Sequence, residues 1–412
     1  MILGEGTFGV VAREIDLQSG KWVAVKYMKP SDDEGVVTIT AVRECDSYRR
    51  FVHPHIPQMM RIDERKDTIC LVLECAEISL YDWLCGEQTM NDRLRMAMVA
   101  LWNCLDVLHY VHSKNVLHRD IKPDNILIRG KDVLLSDWGA SRIMFNKAPG
   151  MTPGMGTVYY RPPEMDSEYY GVPSEVYSLG CTILHVLAGS LPIIEPGKET
   201  ISPIQWLNLL VKINHIIPQP LVQCIRSMIS RRYQDRPSIP SLFSHAVFKN
   251  CPYKRIRYTY AADVPWPNNW CLHHTSFSEA DRRDLIKWVA SVHDTYTRLA
   301  DSLVHTVHLI DDYHACQHTW SMSPREIYLN AIVCCRLVLK YYGCLLAYDT
   351  IQERTCVDFT SETIDAFEMK IFTAVNHRLI RRQPPRDLFS NRSIIDALSN
   401  AAYTRGVASY AP

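Results

Sequence analysis

Apolar and polar positions alternate, or run wholly apolar, in short bursts over the first 75 residues; residues 22–28 read WVAVKYM and residues 68–75 read TICLVLEC. Such runs predict the strands of a small β-sheet, interrupted by one helical stretch over 39–51. Past residue 80 the repeat lengthens to that of helices, most plainly over 93–112 and 175–187, with polar loops between. A small lobe of residues 1–76 is therefore expected before a larger, mainly helical lobe of residues 77–250. Residues 251–277, which include VPWPNNW, hold no sustained period and read as a linker. Five helices are then predicted at 279–299, 302–314, 324–342, 349–358 and 361–379. Pro384 and Pro385 close that domain, residues 278–388, before a tail of residues 389–412.

The 45 basic and 45 acidic residues cancel, so no overall field favours nucleic acid or an anionic membrane, and any charged ligand must be gripped locally. No apolar run reaches the roughly 18 residues of a membrane span. The best stretch, 328–348, contains Asn330, Arg336 and Lys340. The start, MILGEGTFG, lacks the basic residues and apolar core of a signal peptide. An intracellular protein of the cytoplasm, the nucleus or both is expected, with KRIR at 254–257 too short to count as a nuclear signal. The 14 cysteines are scattered without paired CxxC spacing, which predicts reduced thiols in cores.

Residues 4–11, GEGTFGVV, place Gly4, Gly6 and Gly9 where missing side chains let backbone amides approach a triphosphate, although a plain hairpin turn uses glycine too. Residues further along the chain decide between the two. Lys26 in VAVK lies on the next predicted strand, where its ammonium can pair with the α and β phosphates, and Glu44 on the helix after it can hold it by an ion pair. HRDIKPDN at 118–125 supplies Asp120 to accept a substrate hydroxyl proton, Lys122 to stabilise the transferring phosphoryl and Asn125 to ligate Mg²⁺. DWG then brings Asp137 as the principal metal ligand. So few polar groups suffice because phosphoryl transfer needs mainly positioning and charge neutralisation.

This ordered set resembles the eukaryotic protein kinases over residues 1–250. The resemblance implies an α+β bilobal protein kinase fold, protein substrates, and ATP and Mg²⁺ as cofactors. It implies a nucleotide site lined by Gly4, Gly6, Gly9, Val11, Ala24, Lys26, Glu74 and Ala76, and a buried ion pair of Glu164 in RPPE with Arg236 in QDRPS. TITAVRE at 38–44 is similar to the PSTAIRE helix of cyclin-dependent kinases, the surface on which their cyclin docks, and TVYYRPPE at 157–164 is similar to their TLWYRAPE. Thr152 then falls at their activating phosphothreonine, with Arg43, Arg119 and Arg142 as the guanidinium cluster that such a phosphate needs. Gly156, beside Arg161, matches a positive-φ position that in this family admits proline after the phosphoacceptor, which predicts Ser/Thr phosphorylation with a following Pro.

In the second domain, DRRDLIKWVASVHDTY at 281–296 and LVHTVHLIDDYH at 303–314 resemble the first two helices of a cyclin box, an all-α five-helix domain around a central buried helix. Leu285, Trp288, Val289, Val304, Val307 and Ile310 are core positions of that pattern. Arg282, Asp311, Lys340 and Glu368 match the charged signature of cyclins. There the Arg and Asp tie helices together, while the Lys and Glu hydrogen-bond the kinase beside its PSTAIRE helix. The resemblance therefore assigns Lys340 and Glu368 to an interface, with no second box in the residues that remain.

Docking of such a bundle would turn Glu44 inward and complete the Lys26 site. A flexible linker of about 27 residues reaches ~29 Å and holds the two halves at roughly millimolar effective concentration. Docking in cis is expected, with a swapped dimer as the other arrangement; a separate host kinase is the alternative partner if the kinase half is only a scaffold. Joining two functions usually encoded apart suits a compact genome such as that of a large DNA virus.

Departures from the family pattern carry their own expectations. Phe8 stands where cell-cycle kinases carry an inhibitory tyrosine, which removes that brake while Thr7 remains. Trp138 replaces the Phe of DFG and should keep its packing role. Glu175 in SEVYSLG replaces an Asp that braces the catalytic-loop backbone, and its extra methylene is expected to strain or loosen that support. The chain starts almost at the first glycine, which suggests a truncated start and puts nucleotide affinity at risk. The short span from Glu175 to Arg236 leaves no room for the large-lobe insert of cyclin-dependent kinases. Asp281 replaces an apolar member of the docking patch that includes Leu285 and Trp288, which argues against recruitment of RxL motifs.

Overall fold

The computed structural model describes residues 1–6, 9–31, 33–35, 37–65, 68–143, 158–167, 170–194, 200–249, 279–296, 300–316, 322–355, 360–375, 377 and 379. The expected linker at 251–277, the tail, Thr7, Phe8, Thr152 and Gly156 lie outside the described residues.

The alternating segments form an antiparallel five-stranded sheet from β1 (Ile2–Gly6), β2 (Gly9–Ile15), β3 (Trp22–Met28), β4 (Met59–Arg65) and β5 (Thr68–Glu74), in the order β1-β2-β3-β5-β4. Central β3 sets Lys26 opposite Val11 on one side and Leu71 on the other. Between β3 and β4 runs α1 (Ile39–Arg50), where Thr38 caps the first turn by accepting from the Ala41 amide, and Arg49 and Arg50 favour the dipole of the last.

The second lobe comprises β6 (Ile78–Ser79), α2 (Leu80–Leu84), α3 (Met90–Ser113), β7 (Val116–Leu117), β8 (Ile126–Arg129), β9 (Asp132–Leu135), β10 (Arg142–Ile143), α4 (Val172–Ala188), α5 (Pro203–Ile213), α6 (Gln219–Met228) and α7 (Ile239–Phe243). A capping box of Thr89 and Asp92 starts α3. α3 packs on α4, and Leu101, Leu105 and Leu108 of the one, with Leu179, Ile183 and Leu187 of the other, are fully buried. Each such side chain contributes about 1.5–3 kcal/mol of transfer free energy.

The third unit is α8 (Glu279–Tyr296), α9 (Ala300–Cys316), α10 (Pro324–Tyr342), α11 (Tyr348–Thr355) and α12 (Ser361–Ala374). Its hub is α10, which starts on a capping box of Ser323 and Glu326 and ends on Gly343 in the left-handed region, φ 82°. It packs against all four of its sister helices and against α1 of the first lobe. An α+β two-lobed body is thus followed by a five-helix all-α domain. The last helix ends at Ala374 rather than near 379: Val375 caps it, and Leu379 keeps the apolar period because it is buried, not because it is helical. Among the described residues no helix is long and apolar enough to cross a membrane, and the cysteines Cys45, Cys104, Cys181, Cys224, Cys334 and Cys335 are buried free thiols.

Candidate active site

Two clusters of polar side chains meet at the cleft between the lobes. In the first, Lys26 on β3 donates from Nζ to Glu44 Oε1 at 2.9 Å, to Glu44 Oε2 at 2.7 Å and to Asp137 Oδ1 at 2.8 Å. Burial alone would depress the ammonium, but the Glu44 and Asp137 carboxylates outweigh it and hold Lys26 above the ordinary lysine range. Asp137, despite its burial, is held below the usual carboxylate range by Lys26. Burial pushes the Glu44 carboxyl up against the pull of Lys26. The bidentate contact makes this an ion pair between β3 and α1.

In the second cluster, Asn125 Nδ2 donates to the Asp120 carbonyl at 2.8 Å and to Asp120 Oδ2 at 3.0 Å, which leaves the Asn125 amide oxygen as the atom able to meet a cation. Lys122 Nζ lies 2.8 Å from Asp120 Oδ2. The loop carrying these groups is held in an uncommon conformation at Arg119, φ 72°, and Asp137 beyond β9 is likewise left-handed at φ 62°. Glu175 braces it: fully buried, its Oε1 accepts the Arg119 amide at 2.7 Å and its Oε2 meets His112 Nε2 at 2.5 Å. The longer side chain reaches the backbone and takes a second partner from α3, where strain or loosening of that support was expected. Trp138 is fully buried, edge-on to Phe51 at 4.8 Å and to His118 at 4.6 Å, which is the expected packing role.

Gly4 and Gly6 on β1 are exposed and uncrowded. A Cβ on Gly4 or Gly6 would meet nothing within 4 Å, so no protein contact requires glycine at either position, and the space suits a ligand backed closely onto main chain. Gly9 differs, since a Cβ there would stand 2.3 Å from the Tyr27 carbonyl across the strand pair. Val11 and Ala24 lie on β2 and β3, and Ala76 comes just after the end of β5. The Glu74 carboxylate pairs with Arg129 at 2.8 Å, and its amide donates to the Gln58 carbonyl at 2.8 Å. Among the described residues no three His, Cys, Asp or Glu converge on one point. A Mg²⁺ ion here would take Asp137 and Asn125 and fill its shell from phosphate and water oxygens, as that ion commonly does. The open loop and this donor set fit a nucleotide with its metal.

Glu164 and Arg236 form the expected pair, bidentate at 2.6 and 2.8 Å, with Arg236 also over the Tyr177 ring at 4.7 Å. Arg119 and Arg142 lie near enough to Arg43 to act on its charge. Burial, then Arg119 and Arg142, push Arg43 down to about 10. Among the described residues, none of the three Arg119 guanidinium nitrogens has a hydrogen-bond partner.

The back of α1 is gripped by the third unit. Arg43 Nε donates to the Tyr341 carbonyl at 3.1 Å, and Lys340 Nζ donates to the carbonyls of Glu34 at 2.5 Å and Val37 at 2.7 Å. Arg282 and Asp311 pair at 2.5 and 3.1 Å within the helical domain, as expected. Glu368 needs a correction. Its hydrogen bonds go to Arg336 Nε at 2.8 Å and Lys340 Nζ at 2.6 Å, so it acts on the kinase lobe through those cations rather than by its own bond to it. Arg336, Tyr341 and His112 were not anticipated. For Arg336 the signal was present, as a charge inside the apolar stretch 328–348.

Comparison with known proteins agrees with this geometry. A family model described as "Protein kinase domain" matches residues 1–248, and one described as "Cyclin, N-terminal domain" matches residues 256–380. "Cell division control protein 2 homolog 1" of Trypanosoma brucei brucei is 32% identical over 193 residues, 46% of this chain and 63% of that protein. "Cyclin-dependent kinase-like 4" of Mus musculus is 32% identical over 224 residues, 53% of this chain and 63% of that protein. The chain thus spans 63% of the length of each of these two relatives.

Proposed function

The chain belongs to the protein kinase family and carries a cyclin N-terminal domain behind its kinase domain, and from that premise we propose that it is a protein Ser/Thr kinase activated by its own cyclin-like domain. The observation that carries the reading is the closed Lys26–Glu44 pair on a helix whose other side is held by α10. ATP supplies the transferable phosphoryl group, and Mg²⁺ neutralises its charge.

Lys26, kept charged by two carboxylates, orients the α and β phosphates under the open loop of Gly4 and Gly6. Asp120, aligned by Asn125 and Lys122, accepts the proton of the attacking Ser or Thr hydroxyl, and Lys122 also offers its charge to the group in flight. Asn125 and Asp137 would hold the metal ion. Thr152 is the activating phosphosite, served by Arg43, Arg119 and Arg142, and a following Pro is preferred in the substrate. Lys340 holds the segment before α1 while Glu368 positions Lys340, so Glu44 stays turned inward.

The test is ATP- and Mg²⁺-dependent phosphorylation of a Ser-Pro peptide by the purified full chain, by Asp120→Ala, and by a version ending near residue 250. Activity confined to the full wild-type chain supports self-activation. Activity that survives Asp120→Ala must come from a captured partner and refutes it, as does full activity of the shortened version.

A further inference from the structure

An arginine on the buried face of α10 breaks that helix's apolar pattern. Arg336 is fully buried. Its Nε donates to Glu368 Oε1 at 2.8 Å and its Nη1 to the Leu346 carbonyl. Its Nη2 donates to the carbonyls of Glu34 at 3.3 Å and Asp33 at 3.5 Å, and the guanidinium lies 4.0 Å from the centre of the Tyr348 ring. One turn along, Lys340 takes the other Glu368 oxygen at 2.6 Å. Two buried cations thus share one carboxylate. The remaining positive charge faces carbonyl dipoles, and those of Asp33, Glu34 and Val37 belong to the kinase lobe.

The kinase side is shaped to match. Ser31 and Gly35 exchange backbone hydrogen bonds, Ser31 N–H to Gly35 O at 3.1 Å and Gly35 N–H to Ser31 O at 2.7 Å, which folds this segment into a tight turn. Gly35 has φ 79°, and a Cβ there would stand 2.3 Å from Asp365 Oδ1 on α12. That carboxylate is held in place by the Tyr348 hydroxyl at 2.7 Å. A side chain at 35 is therefore opposed twice, by its own backbone and by Asp365.

We infer that Arg336, Tyr348 and Asp365 form a turn-reading pocket that selects the kinase partner of the cyclin-like domain. A fitting partner presents, just ahead of its docking helix, a tight turn that ends in a left-handed glycine and directs two carbonyls outward. Buried ion pairs roughly break even against apolar replacements, so Arg336 adds discrimination more than attraction. A turn without those acceptors leaves the guanidinium buried with unpaired donors, which rejects it. The inference rests on the docking proposed above and names what that docking recognises.

Hydrogen exchange at the amides of residues 33–38, read beside the peptide-phosphorylation rate, tests it in the full chain. Arg336→Lys keeps the charge but lacks the fork; exchange at 33–38 should rise at least tenfold and the rate should fall with it. Gly35→Asn, a residue that tolerates left-handed backbone, should do the same. Asp365→Ala added to Gly35→Asn should restore protection to within threefold of wild type. Unchanged exchange in Arg336→Lys, or no restoration by Asp365→Ala, overturns the inference. Should Arg336→Lys fail to fold, the Gly35 and Asp365 variants decide alone. Exchange reads docking without catalysis, so a chain that phosphorylates nothing yet shows this pattern refutes the kinase reading and leaves the pocket standing.

Discussion

Shortening Glu175 to the aspartate of related kinases should damage this one. The Glu175 carboxylate satisfies two groups at once, the Arg119 amide at 2.7 Å and His112 Nε2 at 2.5 Å, and it is fully buried. Glu175→Asp withdraws the carboxylate by about 1.5 Å, one carbon–carbon bond, so it can keep one partner but not both. A buried polar group left without its partner costs about 1–3 kcal/mol. If the Arg119 amide is the one released, the loop also loses the bond that stabilises its left-handed turn. Each kcal/mol lowers Tm by about 2–4 °C in a domain of this size. Catalysis should suffer more, because a displacement of about 1 Å at Asp120 costs about 10²-fold in rate. Steady-state kinetics should show kcat falling by about two orders of magnitude with KM for ATP little changed, since Lys26 and the glycine loop sit on the other lobe. Glu175→Gln, which keeps the reach, should lose less than ~10-fold. A Glu175→Asp enzyme with kcat within a factor of two of wild type refutes the brace.

Arg236→Ala strands the buried Glu164 and should cost about 3–5 kcal/mol in urea unfolding; a loss under 1 kcal/mol would show the pair to be dispensable. Trp138→Phe opens a small cavity but removes an indole N–H that has no hydrogen-bond partner among the described residues, so stability should shift by less than about 1.5 kcal/mol with activity retained, and a drop above 3 kcal/mol in the same assay counts against it. Burial holds His185 and His293 down to about 4, so both stay neutral in the folded chain while the unfolded chain protonates them below about 6.5. Their effect is absent above pH 6.5. It then destabilises by about 1.4 kcal/mol per pH unit for each histidine as pH falls, and levels off below pH 4. His185→Gln should flatten the fall in Tm between pH 6.5 and 4.5, and an unchanged slope would contradict the assignment.

The sequence disclosed the elements with long, single-period patterns and strong caps. The bounds of α10 emerge at 324–342 because Ser323, Pro324 and Gly343 mark both ends of an unbroken apolar face. Residues 361–379 misled because Leu379 is buried beyond the helix end. The candidate catalytic cluster was legible because its groups come as short local strings. The interface was half legible. Lys340 could be matched one residue at a time, but the sharing of Glu368 between two cations depends on the approach of α10 and α12, which no local pattern encodes. The same charge at Arg336 that argued against a membrane span argues, once its partners are known, for a recognition site.

Arg43 belongs to two constellations at once. Its Nε is spent on the Tyr341 carbonyl of the helical domain, while the charges of Arg119 and Arg142 press on it as well. The entropy of fixing that side chain is therefore surrendered when the domains meet, and an anion arriving later finds it already ordered. Linkage makes the relation reciprocal: whatever an anion gains from a docked partner, the partner gains from the anion. If the arginine cluster takes the phosphate proposed for it, assembly and anion capture are not successive licences but a single thermodynamic coincidence detector, with one guanidinium as its common term.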